Sequence, residues 1–369
     1  MTSHELCEAI TDPDLNTWGN NETTPPNEIG DICADATVHP PIKLGSYLVQ
    51  TEWSNSRFAC VISPFRFSPG ITINAVDSTP EPVAACEFKQ KLILFWKAND
   101  ASNSIYFSPS SNGRDWPNGQ KINAADSTPK ALTACAYFDK LYLFWKANDS
   151  SNAIYVTLAA DGKTWQPSRR INRDDSTSSP PAACVFNNQL YLFWRANDSS
   201  QAIYFSVSDD GLTWPRGRMI NRIDSTPQAP AACVFGHNPP QLYLFWCSAT
   251  TDGAIYVSAS PDGQWNTGIA WRNGRKINEV DSTSFSPAVC VFRDELYVFW
   301  RANDPSDTLY VSFTPESAGL SWPPGIKVND RDRSPRAPRC CTYDDHELFL
   351  FWKSDDASNL IYRNERIVL

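Results

Sequence analysis

The sequence predicts an all-β protein, and three features support this prediction. The chain of 369 residues holds 14 Trp, 13 Tyr, 19 Phe and 28 Pro but only 2 Met. Aromatic residues favour strands, and Pro favours the turns between them. Stretches rich in Ala, Leu, Glu and Lys, which are typical of long helices, are missing. The third feature is a unit of about 49 residues that recurs along the chain.

Three markers recur in each of six units, a fourth recurs in four of them, and together they divide the unit into four short strands. An Ile or Val that opens an Ile-Asn-x-x-Asp-Ser-Thr segment stands at positions 73, 122, 171, 220, 277 and 328. The other markers are a strand that ends in Trp, a following Ile-Tyr or Leu-Tyr pair, and a turn that closes on Trp. Four antiparallel strands in a unit of this length are typical of a β-propeller blade, which buries its faces against neighbouring blades. The predicted fold is therefore a β-propeller of four-stranded antiparallel blades.

Six repeats are clear within residues 75–369, and we expect a seventh blade nearer the N-terminus. Residues 47–53 contain a run that ends in Trp, and residues 71–74 would complete a degenerate first blade over residues 31–74. The last repeat ends after its third strand, so residues 1–30 are expected to supply the fourth strand and close the ring. In this interpretation residues 1–369 form one domain of seven blades. If residues 1–70 are an appendage, the ring has six.

Charge and terminal sequence exclude several classes of protein. The chain has 32 Lys and Arg against 41 Asp and Glu, a formal net charge of −9, whereas nucleic-acid-binding proteins normally carry a basic face. No stretch is apolar for long enough to predict a transmembrane helix. Residues 1–8 lack the basic and apolar regions of a classical signal peptide. We expect a cytoplasmic protein, or one released without such a peptide, that neither inserts into membranes nor binds nucleic acid.

Six of the 11 cysteines share one repeat position: Cys86, Cys135, Cys184, Cys233, Cys290 and Cys341. One interpretation is disulfide or metal chemistry, and the other is a small buried residue in the innermost strand. We favour the second, because Cys is often buried and no C-x-x-C pair has zinc-site spacing. So many unpaired thiols suggest a reducing compartment. No metal and no cofactor is predicted.

The turns that close on Trp resemble the Asp-box of sialidase-like propellers. Residues 161–165 read Asp-Gly-Lys-Thr-Trp and residues 208–214 read Ser-Asp-Asp-Gly-Leu-Thr-Trp, while residues 112–116 and 261–265 are imperfect copies. In such a turn the Asp accepts backbone hydrogen bonds, the Gly is left-handed and the Trp packs beneath. Over roughly residues 47–369 the chain also resembles the sugar-binding β-propeller lectins of fungi and bacteria, including fucose-binding ones. The resemblance implies a seven-bladed lectin but no particular sugar.

Repeated polar residues favour repeated binding sites over a catalytic centre. A glycosidase needs a distinct pair of carboxylates, whereas the Asp residues here are alike, and the four His show no metal spacing. No enzyme activity is therefore expected. Side chains that donate and accept hydrogen bonds suit sugar hydroxyls, and aromatic rings suit the apolar face of a pyranose. The predicted ligand-binding residues follow each strand Trp (Lys97, Asn99, Asp100, Lys146, Asn148, Asp149, Arg195, Asn197, Asp198, Arg301, Asn303, Asp304, Lys353 and Asp356) or close the turns (Trp116, Trp165, Trp214 and Trp322).

Structural roles for the same residues stay open at this point. The unit at Trp246 continues with Cys247 and Ser248 and the first unit also departs, so about five sites are expected. The Trp at each strand end has a core position as its alternative. Lys146 or Arg195 could pair with an Asp of the neighbouring unit, such as Asp126 or Asp175. The Asn-Asp-x-Ser-Asn and Asp-Ser-Thr segments are turn-forming in their own right.

The sequence thus predicts a lectin that binds glycans multivalently, without catalysis. Several shallow, weak sites on one ring gain avidity when glycans are displayed on a surface. A protein-interaction scaffold of the same fold is the first alternative, and a sialidase-like glycoside hydrolase is the second. The sequence does not predict an oligomeric state.

Overall fold

The computed structural model describes residues 66–236, 239–250, 252–260, 271–315 and 322–367, and the backbone of six short strands that precede them. It divides into two compact units, Met1–Phe67 with Arg366–Leu369, and Ser68–Glu365. Every regular element among the described residues is a strand. No helix long and apolar enough to cross a membrane occurs among these residues. The first unit holds β1 (Gly19–Asn20), β2 (Asn27–Glu28), β3 (Ile42–Leu44), β4 (Tyr47–Val49), β5 (Glu52–Ser54), β6 (Ala59–Val61) and β7 (Arg66–Phe67).

The second unit consists of six antiparallel blades: five are four-stranded sheets, and the sixth is formed by β29, β30, β31 and β8 within a sheet of five strands. The blades are numbered in chain order, and β8 (Ile71–Thr72) precedes them. Blade 1 comprises β9 (Ala84–Phe88), β10 (Lys91–Lys97), β11 (Ile105–Ser110) and β12 (Gln120–Lys121); blade 2 comprises β13 (Leu132–Tyr137), β14 (Lys140–Lys146), β15 (Ile154–Ala159) and β16 (Arg169–Arg170); blade 3 comprises β17 (Ala182–Phe186), β18 (Gln189–Arg195), β19 (Ile203–Ser208) and β20 (Arg218–Met219). Blade 4 comprises β21 (Ala231–Phe235), β22 (Gln241–Cys247), β23 (Ile255–Ser260) and β24 (Arg275–Lys276); blade 5 comprises β25 (Ala288–Phe292), β26 (Glu295–Arg301), β27 (Leu309–Pro315) and β28 (Ile326–Lys327); blade 6 begins with β29 (Arg339–Tyr343), β30 (Glu347–Lys353) and β31 (Ile361–Ile367).

The six blades close into a ring. The first strands of successive blades lie side by side from β9 to β29, and β29 lies beside β9. Blade 6 takes its fourth strand from the other end of the unit, since β8 pairs with β31 and places Thr72 opposite Tyr362. The all-β propeller prediction is thereby confirmed. The preferred count of seven blades was wrong, and the six-blade alternative is correct.

The strand with which β8 pairs explains why the ring has six blades and not seven. Residues 71–74 were expected to complete a first blade, but the strand Ile71–Thr72 completes the last one, where residues 1–30 were expected. An unpaired edge of β31 is filled by the segment that has the local sequence of a fourth strand: Ser68-Pro69-Gly70 precedes it, as Pro323-Pro324-Gly325 precedes β28. The rest of the predicted assignment of residues 1–74 lies mostly outside the described residues.

The hydrophobic core lies between blades. The Trp at the end of each second strand is 1–2% exposed and stacks on the Tyr of the third strand, as Trp145 does on Tyr155 with 6.0 Å between ring centroids. Trp145 belongs to the same buried cluster as Phe95 and Phe107 of the preceding blade. Each Trp therefore joins two blades, which confirms the core interpretation of these residues.

The Asn-x-x-Asp turns tie each blade to the next. Asn172 accepts a bond from the backbone N of Asp175 (2.9 Å) and donates Nδ2 to its Oδ2 (2.7 Å), and that oxygen also accepts from the backbone N of Gly217 in blade 3 (2.8 Å). The turn that follows blade 1 differs in its donor. There Asp126 accepts from the hydroxyl of Ser168 in blade 2 (2.5 Å), where the other turns accept from the backbone N–H of a Gly. Six such inter-blade bonds occur, accepted by Asp77, Asp126, Asp175, Asp224, Asp281 and Asp332. The Asp-Ser-Thr turn interpretation is confirmed.

The same contacts decide the predicted pairing of Lys146 with Asp126. Asp126 accepts from Ser168, and Lys146 Nζ instead donates to the backbone O of Ala147 at 3.1 Å. Likewise Arg195 bonds to Ser178 rather than to Asp175. The predicted inter-blade ion pair is therefore wrong for both cations, because a nearer hydroxyl or amide satisfies each carboxylate.

Candidate functional site

The cations predicted to bind ligand lie inside the blades. Lys97, Lys146 and Lys353 are 8–9% exposed, and each Nζ donates to the carbonyl of the next residue. Desolvation lowers the pKa of all three. Arg301 pairs with Asp307 and donates to the carbonyl of Ala302 at 2.9 Å. These cations satisfy the end of the second strand, which leaves little of them for a ligand at the rim.

The Asn-Asp loops are exposed and form one polar rim. Asp100 Oδ1 accepts bonds from the backbone N of Ser102 (2.8 Å) and from its hydroxyl (2.5 Å). Serine bonds of this kind lower the pKa of every Asp in the series and keep these carboxylates ionised: Asp100, Asp149, Asp198, Asp304 and Asp356. These Asp residues therefore stabilise the turns, and each of the five also places an exposed negative charge at the rim of its blade.

Loops of adjacent blades contact each other through amide groups. Asn103 Nδ2 donates to Asn148 Oδ1 at 3.4 Å, and Asn148 Nδ2 donates to Ser127 Oγ at 3.2 Å. Between blades 6 and 1, Asn359 Nδ2 donates to Asn99 Oδ1 at 3.3 Å. Asn197 and Asn303 occupy the equivalent exposed positions of blades 3 and 5. Of the predicted Asn residues, Asn99 and Asn148 therefore lie where two blades meet.

The predicted Trp residues are covered. Trp116, Trp214 and Trp322 are 4–7% exposed and stand edge-on to a Phe of the preceding blade, with centroids 5.5–5.8 Å apart. Trp165 is half-buried against Phe95 in the same way. A ring held like this offers no open face to a pyranose.

The turns themselves have the geometry predicted from their residues. Asp210 Oδ1 accepts from the backbone N of Leu212 (2.7 Å) and of Thr213 (2.6 Å), and Gly211 is left-handed with φ of +71°. Trp214 Nε1 then donates to the carbonyl of Gly211 at 3.0 Å. In blade 4 the position beneath the turn is filled by Trp271, which stands edge-on to Phe193 at 5.6 Å. The predicted Trp265 lies outside the described residues.

A second set of residues, which sequence reasoning did not assign to the site, meets beside the Asn-Asp loops. The Tyr of each third strand is half-buried, and in blade 2 Tyr155 pairs across the sheet with Arg170. The Arg170 guanidinium lies 6.0 Å from the Tyr155 ring centroid, and its Nε donates to the Tyr hydroxyl at 3.5 Å. Arg170 also acts electrostatically on exposed Asp149 and helps to lower its pKa. We call such a set a Tyr–cation–Asp groove.

Blades 1, 2 and 4 contain a complete groove, and blade 5 carries the same three residue types. Blade 1 has Tyr106 with Lys121 Nζ 5.7 Å from the ring centroid, and Lys121 acts on the charge of Asp100. The complete sets are Tyr106, Lys121 and Asp100; Tyr155, Arg170 and Asp149; and Tyr256, Lys276 and Asp252. In blade 5 Tyr310 pairs across the sheet with Lys327, and Asp304 occupies the equivalent loop position, but Lys327 Nζ lies 3.4 Å from Asp330. Blades 3 and 6 keep the Tyr but pair it with Met219 and Thr72 in place of a cation.

Blade 4 was expected to be defective, but it is complete by an exchange of positions. In blade 1 the carboxylate of Asp100 accepts from the hydroxyl of Ser102. In blade 4 the hydroxyl of Thr250 stands at the first position and donates to Asp252 at the second, at 2.6 Å. Asp252 then pairs with Lys276 at 3.5 Å. Comparison of the repeats one position at a time misses this exchange, because the hydrogen-bonded pair is kept while its members trade places.

The repeated thiols are buried or half-buried in the first strands. The eight cysteines whose surroundings the structure describes are free, and burial raises the pKa of Cys86 to about 12. Among the described residues no group of three or more His, Cys, Asp and Glu is placed to hold a metal ion. The arrangement is that of small packing residues.

The chain is similar to solved β-propellers at low sequence identity. No protein-family model and no curated protein sequence matches it. A lectin from Burkholderia pseudomallei is 17% identical with a TM-score of 0.60, over 78% of this chain and 81% of that one. A variant of an α-L-arabinofuranosidase from Fusarium graminearum is 12% identical with a TM-score of 0.59, over 81% and 97%. The Aleuria aurantia lectin in complex with Fucα1-6GlcNAc is 12% identical with a TM-score of 0.54, over 80% and 97%. These likenesses support the propeller fold.

Proposed function

We propose that the protein is a multivalent carbohydrate-binding protein without catalytic activity, and that its sites are the Tyr–cation–Asp grooves. The observation that carries this proposal is that one aromatic ring, one cation and one ionised carboxylate meet in blades 1, 2 and 4, and that blade 5 carries the same residue types at the equivalent positions. The carboxylate accepts bonds from sugar hydroxyls, the cation donates to them, and the exposed part of the Tyr ring packs on the C–H face of a pyranose. The neighbouring Asn side chains at the rim supply further donors and acceptors.

This proposal keeps part of the predicted site and replaces the rest. Asp100, Asp149 and Asp304 stay in it, together with the Asn residues beside them. The cations Lys121, Arg170, Lys276 and Lys327 replace the buried ones at the strand ends, and Tyr rings replace the covered Trp rings. About four sites of similar chemistry follow, and their spacing around a ring suits glycans displayed on a surface.

Fucosides are the first ligands to test. The Aleuria aurantia lectin is described in complex with Fucα1-6GlcNAc, and a further lectin of the same fold, 14% identical, is described in complex with α-methyl fucoside. A fucoside carries an apolar methyl group and three free hydroxyls on its ring, which fits a groove that is part aromatic and part charged.

Calorimetric titration with α-methyl fucoside tests the proposal by counting sites. We expect a stoichiometry near four for the wild-type chain, three for Lys121→Met and five for Met219→Lys. Both substitutions introduce a residue that another blade carries at the same position, so the fold should persist, and circular dichroism checks this. A glycan array run beside it identifies other sugars. A stoichiometry that neither substitution changes would contradict the grooves as sites. A blank array with a folded protein would contradict sugar binding for the glycans tested and favour a protein partner.

A glycoside hydrolase is the second candidate, and one observation favours it. Glu87 is the only carboxylate on the first strands, and burial raises its pKa, as a general acid requires. The exposed carboxylates of Asp344 and Asp345 add to this shift, and the backbone N of Asp344 donates to Glu87 at 3.2 Å. Release of nitrophenol from aryl α-L-arabinofuranoside, lost in Glu87→Gln, would establish this alternative. No release at high enzyme concentration would leave binding alone.

A further inference from the structure

A cavity lies on the ring axis at the end where the first strands begin. It has a volume of about 290 Å³ and is lined by the loops that precede those strands. A smaller cavity of about 140 Å³ continues along the axis between the first strands themselves. Arg339 borders both cavities. We call the larger cavity the channel mouth.

Positive charge is concentrated at the channel mouth. Its lining contains Lys130, Arg195, Arg336 and Arg339 but a single carboxylate, Glu81. Lys130 Nζ lies 4.0 Å from Glu81 Oε1, so this carboxylate already has a partner. The chain as a whole carries a net charge of −9, and a basic cavity in an acidic protein is therefore a local arrangement and not a consequence of composition.

The three arginines have hydrogen bonds only to neutral groups among the described residues. Arg339 donates to the carbonyl of Pro338 at 2.9 Å, and Arg336 donates to that of Pro80 at 3.2 Å. Arg195 bonds to the hydroxyl of Ser178, and its Nε is buried without a partner in the part of the chain that the structure describes. Burial lowers the pKa of Arg339 to about 10. Partly buried guanidinium groups that have no carboxylate bonded to them are costly, so an anion would stabilise them.

The repeat shows that Arg336 and Arg339 are not required for packing. At the position of Arg339 the other blades carry Ala84, Thr133, Ala182, Ala231 and Ala288. At the position of Arg336 they carry Glu81, Lys130, Ser179, Gln228 and Phe285. Blade 6 therefore contributes two arginines to the channel mouth, whereas no other blade carries an arginine at either position.

We propose that the channel mouth binds a tetrahedral oxyanion of the phosphate or sulfate class through Arg195, Arg336 and Arg339. Guanidinium groups present paired donors that match the oxygens of such anions. The cavity has room for the ion together with an attached group, so a phosphate or sulfate ester is the corresponding ligand. This site is separate from the Tyr–cation–Asp grooves and does not depend on the proposed function.

The test compares two matched double variants. Arg336→Gln with Arg339→Ala removes two charges from the mouth and introduces the residues found at these positions in blade 4. Lys140→Gln with Arg293→Asn removes two charges at the opposite end of the blades. Both of these control residues are exposed, and each takes the residue that blade 3 carries there. Inorganic phosphate, sulfate and acetate are titrated by calorimetry and by thermal unfolding, with sodium chloride added to hold ionic strength constant.

We expect saturable binding of phosphate and sulfate to the wild type and to the control variant, at least tenfold weaker in the mouth variant. Saturation matters because excluded salts also stabilise proteins, but in proportion to their concentration and in all variants alike. A mouth variant that binds like the wild type would overturn the proposal, as would acetate binding of equal affinity or an absence of saturable binding in the wild type. Titration of the wild type and both variants with α-methyl fucoside tests the grooves separately. Whether this sugar binds to all three proteins equally or to none of them, the result for phosphate and sulfate stands on its own.

Discussion

Replacement of two equivalent tryptophans by Phe tests whether these rings are packing residues, as their burial indicates. Trp214 and Trp165 both stand edge-on to a Phe of the preceding blade, at 5.6 Å from Phe144 and 5.5 Å from Phe95. They differ at the indole nitrogen. Trp214 Nε1 donates to the carbonyl of Gly211 at 3.0 Å, whereas Trp165 Nε1 is buried without a hydrogen-bond partner among the described residues.

The expected losses of stability follow from this difference. A Phe covers roughly 50 Å² less apolar surface than Trp, which costs about 1.3 kcal/mol in either position. Trp214→Phe also loses a hydrogen bond worth about 1 kcal/mol, for a total of about 2–3 kcal/mol. Trp165→Phe instead removes a buried, unpaired N–H, whose burial costs about 1–3 kcal/mol, so its net effect is close to zero. The two variants should differ by about 2 kcal/mol.

Equilibrium unfolding in urea, followed by far-ultraviolet circular dichroism, measures this difference at comparable slopes. Equal losses in the two variants, or the larger loss in Trp165→Phe, would refute the reasoning. Titration of both variants with α-methyl fucoside adds a functional check. If the rings are packing residues, sugar binding persists in both; a folded Trp214→Phe protein that no longer binds would return Trp214 to the site.

Three further predictions concern the inter-blade turns, the Asp turns and the thiols. Asp332→Ala should lower the free energy of unfolding in urea by about 3 kcal/mol or more, because it leaves the buried amide of Asn364 without its hydrogen-bond acceptor. In the control variant Asp330→Ala, the replaced side chain is 89% exposed, and stability should change by less than about 0.5 kcal/mol. Backbone bonds from Thr164 and Lys163 lower the pKa of Asp161 from 3.8 to about 2, so its stabilising effect is complete above pH 4 and lost as the pH falls towards 2, and Asp161→Asn should flatten the stability profile over that interval. Burial raises the thiol pKa of seven described cysteines (Cys86, Cys135, Cys184, Cys233, Cys247, Cys290 and Cys341), so iodoacetamide at pH 8 should label these seven far more slowly in the native than in the urea-unfolded protein, and mass spectrometry measures both rates.

The repeated unit could be recognised from sequence because its packing is local. Trp145 and Tyr155 belong to adjacent strands of one blade and recur at one spacing, and the Asn-x-x-Asp turn closes within four residues. Each of these contacts depends on residues that are near each other in the chain, so the pattern itself carries the information. The same locality made the core role of the strand Trp residues and the turn role of the Asp residues readable in advance.

The number of blades, in contrast, depends on a contact between residues that are far apart in the chain. Whether Ile71–Thr72 ends the first sheet or the last depends on which edge strand it meets, and its partner Tyr362 lies 290 positions away in the numbering. A two-residue strand has too little pattern to choose between two edges. The resemblance of Ser68-Pro69-Gly70 to the residues before β28 was present in the sequence, but the resemblance indicates a fourth strand without indicating the blade that it completes.

The same distinction between contacts within one unit and contacts between units applies to the candidate site. The four-stranded repeat, the Asp turns and the series of Asp residues that follow the strand Trp could be predicted from the amino-acid sequence, because they follow from hydrogen bonds and hydrophobic contacts within one unit. Only the tertiary structure decided that Lys97 and Trp214 are buried, that Tyr155 and Arg170 meet at an accessible groove, and that Asp252 replaces the missing Asp of blade 4. Solvent exposure at a blade edge depends on how the neighbouring blade covers it, and residues that are equivalent in sequence can become buried or accessible by that packing alone.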